Sequence, residues 1–426
     1  MEIGEYQTTH ENRGISKNMS KITVKTKIIG SKILYEYDVE GECAEVFNID
    51  GNDSWFGIVS GGVHEFFIEY DENVESVPES IAVIPFLCNV LPIAWMYDAE
   101  IIVPELDEDF FESIPGFKRG YEGMYRNVDL KGRVTPGRLV KNELPENAKG
   151  SLVFFSGGVD AHFTLLSKIH EKPLAVTLWG SDIYFKQTAE WTTTANQNFE
   201  TARSLGLSYA SIKTSFRLFL KYSVLDAKFA KPNGTSWWYG FQHSIGIISH
   251  AAPLAWKRGI RQVYIASTFS IFDDPTTKCA SWPTIDNFVR FFDCLVDHHD
   301  FKFTRQDKIK EICRISEELN IPISLRVCWQ SGKAQNCCRC EKCVRTLFGV
   351  LAENKDPMNY GFNVNDDVYA NIEQLITSGK IKPTKFWGEI VKKLRINDTL
   401  METASHVRTL VSEYDSATQN KPKAIG

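Results

Sequence analysis

The sequence SLVFFSGGVDAHFTLLSKIH (residues 151–170) joins a short apolar run to a turn with adjacent glycines and a further stretch of helical character. A short apolar run that ends at glycine is typical of a buried strand, and the next stretch predicts a helix from Ala161 to His170. The segment therefore predicts a strand–turn–helix unit of an α/β sheet.

Strands and helices continue to alternate after this unit. Strands are predicted at residues 174–178, 208–212 and 262–267, with helices near residues 193–205 and 240–257. This alternation indicates right-handed βαβ units in a doubly wound parallel sheet. Ligands of such sheets bind at the carboxyl ends of the strands.

The remainder of the chain divides by composition. Period-two alternation from about Lys21 to Ile102 predicts strands, and a stretch rich in Pro, Gly and charge before Gly150 predicts loops. The predicted segments are a flexible N-terminus (1–20), a β-rich domain (21–103), a linker with loops (104–150), the α/β domain (151–346), a helical C-terminal segment (347–413) and a disordered tail (414–426).

Composition and charge restrict the class of protein. With 426 residues, 43% apolar and 24% charged, the chain is typical of a globular protein of two or three domains. A net charge of −6 gives no general attraction to nucleic acid or to an anionic membrane. We expect no membrane span and no secretory signal. The crowding of cysteines between Cys328 and Cys343 indicates metal binding in a reducing, cytoplasmic compartment.

Residues 155–160, FSGGVD, are suited to binding phosphate. Gly157 and Gly158 can bring backbone N–H groups close to phosphate oxygens, and the following helix adds its positive N-terminal dipole. Ser156 can donate to phosphate, and Asp160 is placed to hold Mg²⁺ that bridges phosphate oxygens. The alternative is a tight strand-to-helix turn without a ligand. The segment is neither a Walker A loop nor a GxGxxG motif.

A second constellation is Cys328-x8-Cys337-x2-Cys340-x2-Cys343. Four thiolates at this spacing can close tetrahedrally on one Zn²⁺, and a site with four protein ligands has a structural role. The alternative is a group of free cysteines in a core, which their polar and charged neighbours disfavour. Cys338 is the remaining thiol of this segment.

The turn resembles the Ser-Gly-Gly-x-Asp-Ser signature of the PP-loop ATP pyrophosphatases, which cleave ATP between the α and β phosphates. Ala161 replaces the second serine of that signature. With the four-cysteine pattern that follows, residues 151–346 resemble the 7-cyano-7-deazaguanine synthase-like (QueC-like) members that carry an added N-terminal domain. The resemblance implies an adenine nucleotide α-hydrolase-like, Rossmann-like fold with ATP, Mg²⁺ and Zn²⁺ as cofactors.

The resemblance also implies a ligase that adenylates a carboxylate, either 7-carboxy-7-deazaguanine or a related acid. The acyl group then passes to ammonia or another amine, with release of AMP and pyrophosphate, in antiphage defence or specialised biosynthesis. The resemblance leaves open whether the amine belongs to a protein or peptide acceptor and whether the protein forms a homodimer. Two alternatives remain: a nucleotide-binding module that recruits a partner without turnover, and adenylation of tRNA for thiolation, which the acidic chain disfavours.

These arguments assign roles to individual residues. Catalysis is assigned to Ser156, Asp160 and Lys308, the last of which lies in a segment similar to one of the family. Substrate binding is assigned to Trp238, Tyr239, Gln242 and His243, which replace the family's Val-Pro-Gly-Arg-Asn loop. Nucleotide binding is assigned to Ser156, Gly157, Gly158, Val159, Asp160, Trp179, Gly180, Asp182, Ser267 and Thr268.

Overall fold

The structure is a computed structural model that describes residues 20–48, 54–55, 58–59, 65–328, 330, 335–383 and 385–419. The strands are β1 Lys21–Ile29, β2 Lys32–Glu40, β3 Ser54–Trp55, β4 Ile58–Val59, β5 Phe66–Tyr70, β6 Glu100–Asp107, β7 Arg133–Val140, β8 Gly150–Phe154, β9 Leu174–Trp179, β10 Tyr209–Thr214, β11 Ile260–Ala266, β12 Arg290–Phe291 and β13 Cys294–His299.

The α-helices are α1 Glu79–Ala82, α2 Ile84–Tyr97, α3 Glu108–Met124, α4 Val159–Ser167, α5 Thr188–Ser204, α6 Tyr222–Leu225, α7 His243–Ser249, α8 Ala251–Arg258, α9 Pro283–Asp286, α10 Arg305–Leu319, α11 Glu341–Leu351, α12 Asp366–Thr377, α13 Gly388–Arg395, α14 Asp398–Thr403 and α15 Ser405–Gln419. Two π-helical turns cover Asp226–Ala230 and Trp238–Gln242. Short 3-10 turns cover Glu42–Val46, Ile169–Glu171, Lys231–Asn233, Pro357–Tyr360 and Lys385–Trp387.

One continuous sheet runs through most of the molecule. Its strand order is β12-β13-β11-β8-β9-β10-β5-β2-β1-β6-β7, and β3 and β4 form a separate pair. The five strands from β13 to β10 are parallel, whereas β5, β2 and β1 are each antiparallel to the strand before them in this order. Strands β1, β6 and β7 are again parallel to one another. The protein is therefore α/β with a large, mostly parallel mixed sheet.

Helices cover both faces of the parallel strands. In β8, Leu152 and Phe154 belong to one hydrophobic core and Val153 belongs to a second. Successive side chains of a strand point to opposite faces of the sheet. Helices α2, α7 and α8 contribute to the first core, and α4, α10 and α11 contribute to the second.

The strand order reverses beside β8. From this strand the chain adds β9 and β10 on one side, and it later adds β11 and β13 on the other. In open α/β sheets, a crevice forms outside the carboxyl ends of the strands at such a point. The turn between β8 and α4 therefore lies where the fold forms such a crevice.

The predicted domain boundaries near residues 103 and 150 do not interrupt the sheet. Residues 104–150, predicted as a linker with loops, contain α3 and β7, so that prediction is wrong for this stretch. Gly120 of α3 serves close packing rather than a turn, since a Cβ there would lie 2.3 Å from the Thr284 carbonyl oxygen.

The stretch predicted as β-rich, residues 21–103, also contains helix α2, which the sequence pattern did not predict. Every residue from Ile84 to Trp95 is buried. A helix that is apolar on all sides carries no periodic pattern in its sequence, which explains why the prediction missed it.

The C-terminal part is helical, as predicted. Helices α11 to α15 follow one another from residue 341 to residue 419. Because α15 continues to Gln419, the prediction of disorder from residue 414 is wrong as far as that residue. The rest of the predicted tail and residues 1–19 lie outside the described residues. No helix in the described ranges is long and apolar enough to cross a membrane.

Candidate functional site

A cleft of about 1170 Å³ lies at the carboxyl ends of the central strands. One end is formed by the turn after β8 and the start of α10, and the other by residues that follow β9 and β10 and by the start of α7. We call these the phosphate end and the acceptor end. Of the predicted site residues, the cleft is lined by Ser156, Gly158, Val159, Asp160, Asp182, Trp238, His243, Thr268 and Cys328.

The backbone of the turn is fixed by close contacts. Gly157 has a φ of 80°, and a Cβ at this position would lie 2.7 Å from Oδ1 of Asn198. The Gly157 carbonyl accepts a hydrogen bond from the backbone N–H of Arg326 at 2.7 Å. Among the described residues, no side chain caps the start of α4, whose N-cap is Gly158. The first N–H groups of this helix are therefore left for an anion in the cleft.

Asp160 forms two ion pairs at the phosphate end. Its Oδ2 lies 2.6 Å from Nη2 of Arg305, and its Oδ1 lies 3.4 Å from Nζ of Lys308. Lys308 is almost fully buried and also donates to the backbone carbonyl of Ser267. Burial is the main cause that lowers the pKa of Lys308, and Asp160 opposes it. The pairing places two of the predicted catalytic residues, Asp160 and Lys308, in contact.

Arg326 and Arg345 also line the phosphate end of the cleft. Lys342 lines the cleft as well, but its side chain is exposed and its charge acts on His243. Burial lowers the pKa of Arg326 and of Arg345. A cluster of partly desolvated cations beside a free helix N-terminus favours a multiply charged anion, because charges interact strongly where water is excluded.

The acceptor end is aromatic and carries a buried cation. The guanidinium of Arg217 lies 3.7 Å from the ring centre of Trp238, and Arg217 Nη1 donates to the carbonyl of Ser181 at 3.0 Å. Asp182, an exposed side chain, lies 3.9 Å from the same guanidinium. The ring of His243 packs edge-on against Trp238 with a centroid distance of 4.8 Å. Burial lowers the pKa of His243 to about 4, so this imidazole is neutral at pH 7.

The structure places other predicted residues away from the cleft. Gln242 is fully buried, where its Nε2 donates to Oδ1 of Asn89 at 2.7 Å and to the carbonyl of Phe216 at 3.1 Å. Tyr239 lies outside the cleft with 37% of its surface exposed. We therefore no longer expect Gln242 or Tyr239 to contact a substrate directly.

Three predicted nucleotide-binding residues also lie outside the cleft and make contacts within the protein. The ring of Trp179 stacks on Trp191 with centroids 5.2 Å apart. Gly180 has a φ of 109°, and a Cβ there would lie 1.8 Å from the carbonyl oxygen of Thr214. Ser267 is fully buried, and its hydroxyl donates to the Phe269 carbonyl at 2.5 Å. Of the three, Ser267 contributes to the site through its carbonyl, which accepts from Lys308.

The sequence prediction missed several residues that line the cleft: Glu190, Arg217, Arg326, Lys342 and Arg345. A signal for two of them exists, because Arg217 and Arg326 interrupt the apolar runs SFRLFL and SLRVC. A charged residue inside such a run is buried only where it has partners or a ligand. The other three lie in helices whose ordinary polar faces give no such signal.

Four cysteines converge beside the phosphate end. The Sγ atoms of Cys328, Cys337, Cys340 and Cys343 all lie within 4.8 Å of one another. Tetrahedral thiolates at the usual Zn–S distance would be about 3.8 Å apart, and the Sγ atoms of Cys337 and Cys343 are 3.9 Å apart. Hydrogen bonds from neighbouring thiols, that of Cys343 first, lower the pKa of Cys340 to about 5. The cluster could therefore hold a metal ion.

Cys338 does not belong to this cluster. Its Sγ lies 3.7 Å from the backbone carbonyl of Asn336, and its own φ is 51°. The four cysteines that the sequence spacing predicted as metal ligands are therefore the four that cluster in the structure.

Comparison of the chain with protein-family models and with curated proteins gives no match.

Proposed function

We propose that the protein is an ATP-dependent enzyme that adenylates a carboxylic acid and transfers the acyl group to ammonia or another amine, with release of AMP and pyrophosphate. The observation that carries the proposal is the phosphate end, where a glycine turn, a helix N-terminus that no described side chain caps and several partly buried arginines face one cleft. The strand order and the resemblance of residues 155–161 to the PP-loop signature support a Rossmann-like, adenine nucleotide α-hydrolase-like fold.

The phosphates of ATP would lie against Ser156, Gly158 and the first turn of α4. There the backbone N–H groups donate to the phosphate oxygens, and Arg305, Arg326 and Arg345 balance their charge. Adenylation turns a carboxylate oxygen into part of a good leaving group, and the protein contributes position and charge stabilisation.

Asp160 connects nucleotide binding to Mg²⁺. Its carboxylate is paired with Arg305 and Lys308. A phosphate that attracts Arg305 would release one carboxylate oxygen of Asp160, which could then serve as a ligand to Mg²⁺. When bound, Mg²⁺ neutralises charge on the departing pyrophosphate.

The acceptor end would bind the acid and the amine. Trp238 lines the cleft with one ring face packed against the Arg217 guanidinium, and its ring is suited to stacking on a planar ring system such as that of 7-carboxy-7-deazaguanine. The exposed Asp182 and the neutral His243 lie at the same end, where they can accept hydrogen bonds from ring N–H groups or from the amine.

Zn²⁺ is the metal that we propose for the four-cysteine cluster, since four thiolates at tetrahedral spacing favour it. Its role would be structural: it would join the loop that carries Cys328 to α11, which supplies Lys342 and Arg345 to the cleft.

Exchange between ATP and labelled pyrophosphate tests the proposal. The full chain with Mg²⁺ and 7-carboxy-7-deazaguanine should catalyse this exchange, and added ammonium should convert the acid to its amide. No exchange with this acid or with related heteroaromatic acids would reject the adenylation chemistry.

A nucleotide-binding module without turnover is the alternative that the structure favours next. Ala161 lacks the hydroxyl of the family's second serine, and Asp160 is fully engaged in ion pairs. Tight binding of ATP without exchange, in a protein that still recruits its partner, would support this alternative. Adenylation of tRNA has less support, because the four clustered cysteines are suited to metal rather than to sulfur transfer.

A further inference from the structure

A buried histidine–carboxylate pair lies near the acceptor end of the cleft. Asp286, the last residue of α9, is fully buried, and its Oδ2 lies 2.7 Å from Nδ1 of His298. The hydroxyl of Ser281 donates to the same oxygen at 3.4 Å. His298 is only 3% exposed. The adenylation chemistry proposed above gives this pair no role.

The sheet register places His298 directly behind the cleft wall. His298 in β13 is paired with Ile265 in β11, and Ile265 lines the cleft. Neighbouring strands lie about 4.8 Å apart, and paired residues of parallel strands point to the same face. Ile265 belongs to the core on the α7 side of the sheet, and α7 begins with His243. His298 is therefore on the same side of the sheet as His243.

The two histidines have complementary hydrogen-bonding needs. Because a carboxylate can only accept, we assign the proton of the Asp286 hydrogen bond to Nδ1 of His298, which leaves a lone pair on its Nε2. This Nε2 and Nδ1 of His243 are both buried and have no hydrogen-bond partner within the described part of the chain. His298 is close enough for its charge to lower the pKa of His243. Buried polar atoms rarely lack a partner, and one ordered water can join two of them.

We propose that His243, Asp286 and His298 form a proton relay for the amine that attacks the acyl-adenylate. His243, whose ring lines the cleft, is the catalytic base, with Nε2 toward the amine and Nδ1–H toward His298. His298 and Asp286 act through His243 and are positioning residues. The inference rests on the proposed acyl transfer and gives its second half-reaction a base.

In this step the acyl group passes from AMP to the amine. The amine nitrogen forms a bond to the acyl carbon, and the bond from that carbon to the AMP phosphate oxygen breaks, so AMP leaves with the electron pair. The proton lost by the nitrogen passes to Nε2 of His243. The proton on Nδ1 of His243 passes to Nε2 of His298, directly or through one water, and the carboxylate of Asp286 stabilises the imidazolium that forms.

The test separates the two half-reactions in the full chain. His298→Asn should leave ATP–pyrophosphate exchange with 7-carboxy-7-deazaguanine near the wild-type rate. Amide formation from ammonium should fall about 100-fold at neutral pH. The ratio of the variant's rate to that of wild type should rise with pH, since a stronger base in solution replaces the relay. Ser281→Ala, which touches the same carboxylate, should change neither rate.

Each result is decisive. Wild type without exchange would reject the proposed function itself. Wild-type exchange together with normal amide formation and a normal pH profile in His298→Asn would overturn the relay. A variant that loses both rates equally, with no pH-dependent recovery, would show that the pair is only structural. Should His298→Asn fail to fold, ¹⁵N NMR of wild type decides: the relay requires His298 protonated at Nδ1 and not at Nε2, and the reverse tautomer overturns it.

Discussion

The two ends of the cleft are built in different ways. The phosphate end is formed largely by the consecutive residues 156–160 and by backbone N–H groups, and Gly157 and Arg326 fix its shape through the main chain. The acceptor end gathers the side chains of Arg217, Trp238 and His243 from separate segments. A site built from backbone tolerates few changes, whereas a site built from side chains can alter its ligand without altering the fold. We therefore expect loss of a functional group at the phosphate end to stop ATP–pyrophosphate exchange, and changes to the side chain that binds the acid to alter substrate preference.

The largest expected effect concerns the cluster that supports the phosphate end. Structural Zn²⁺ contributes on the order of 10 kcal/mol to the folding of small zinc domains. Cys340→Ser should lose the metal and precipitate or unfold, whereas Cys338→Ser, outside the cluster, should keep about one Zn²⁺ per chain. Metal analysis and circular dichroism measure both. A wild-type protein that is folded, soluble and free of metal would contradict this role.

Asp160→Asn should reduce pyrophosphate exchange by a factor of about 100 to 1000, because the metal's shell loses one charge in the transition state. The variant also leaves buried Lys308 without its partner carboxylate, which should destabilise the protein without nucleotide by about 1–3 kcal/mol. Binding of ATP should restore part of the lost stability. Exchange rates and thermal melting with and without ATP measure the two effects, and an unchanged exchange rate would remove Asp160 from the reaction.

Trp238→Ala tests the acceptor end. Loss of the stacking face should raise the KM for the acid about tenfold, since one aromatic contact contributes about 1 kcal/mol beyond its buried area, while the KM for ATP stays the same. Tyr239→Ala, next in sequence but outside the cleft, is the matched control and should change neither constant. Equal effects of the two substitutions would mean that the acid binds elsewhere.

Ala161→Ser should have the smallest effect, which is an increase in the rate of pyrophosphate exchange. The added hydroxyl lies at the cleft wall and restores the hydrogen bond to pyrophosphate that the family's serine implies. One such bond contributes about 1 kcal/mol, which predicts an exchange rate up to about fivefold higher. A slower rate in this variant would show that the turn does not bind pyrophosphate as proposed.

The difference between the phosphate end and the acceptor end also explains which features could be predicted from the sequence. Strands β8 to β11 and helices α4 and α5 could be predicted because apolar runs alternate with glycine turns, and the phosphate turn could be predicted because its residues are consecutive. Strand β13 could not, because its sequence CLVDHH has neither an apolar run nor a regular alternation. The two histidines of this strand nevertheless have polar partners: His298 contacts Asp286, and His299 contacts Thr164.

The residues of the acceptor end were predicted only in part. The segment Trp238–Gln242 was identified because it replaces a family loop, but its π-helical turn decides which side chains face the cleft. The turn directs Trp238 to the cleft and Gln242 to the core. That choice depends on tertiary packing against Asn89 and Phe216, which are distant in sequence, so local pattern could not supply it.

Analysis of the nucleotide products tests the central claim most directly. ATP labelled at the α and γ phosphates should be incubated with the full chain, Mg²⁺ and 7-carboxy-7-deazaguanine, with and without ammonium. With ammonium, we expect AMP and pyrophosphate in equal amounts, formed only when the acid is present. Release of ADP and phosphate, or AMP formation that does not depend on any acid, would contradict it.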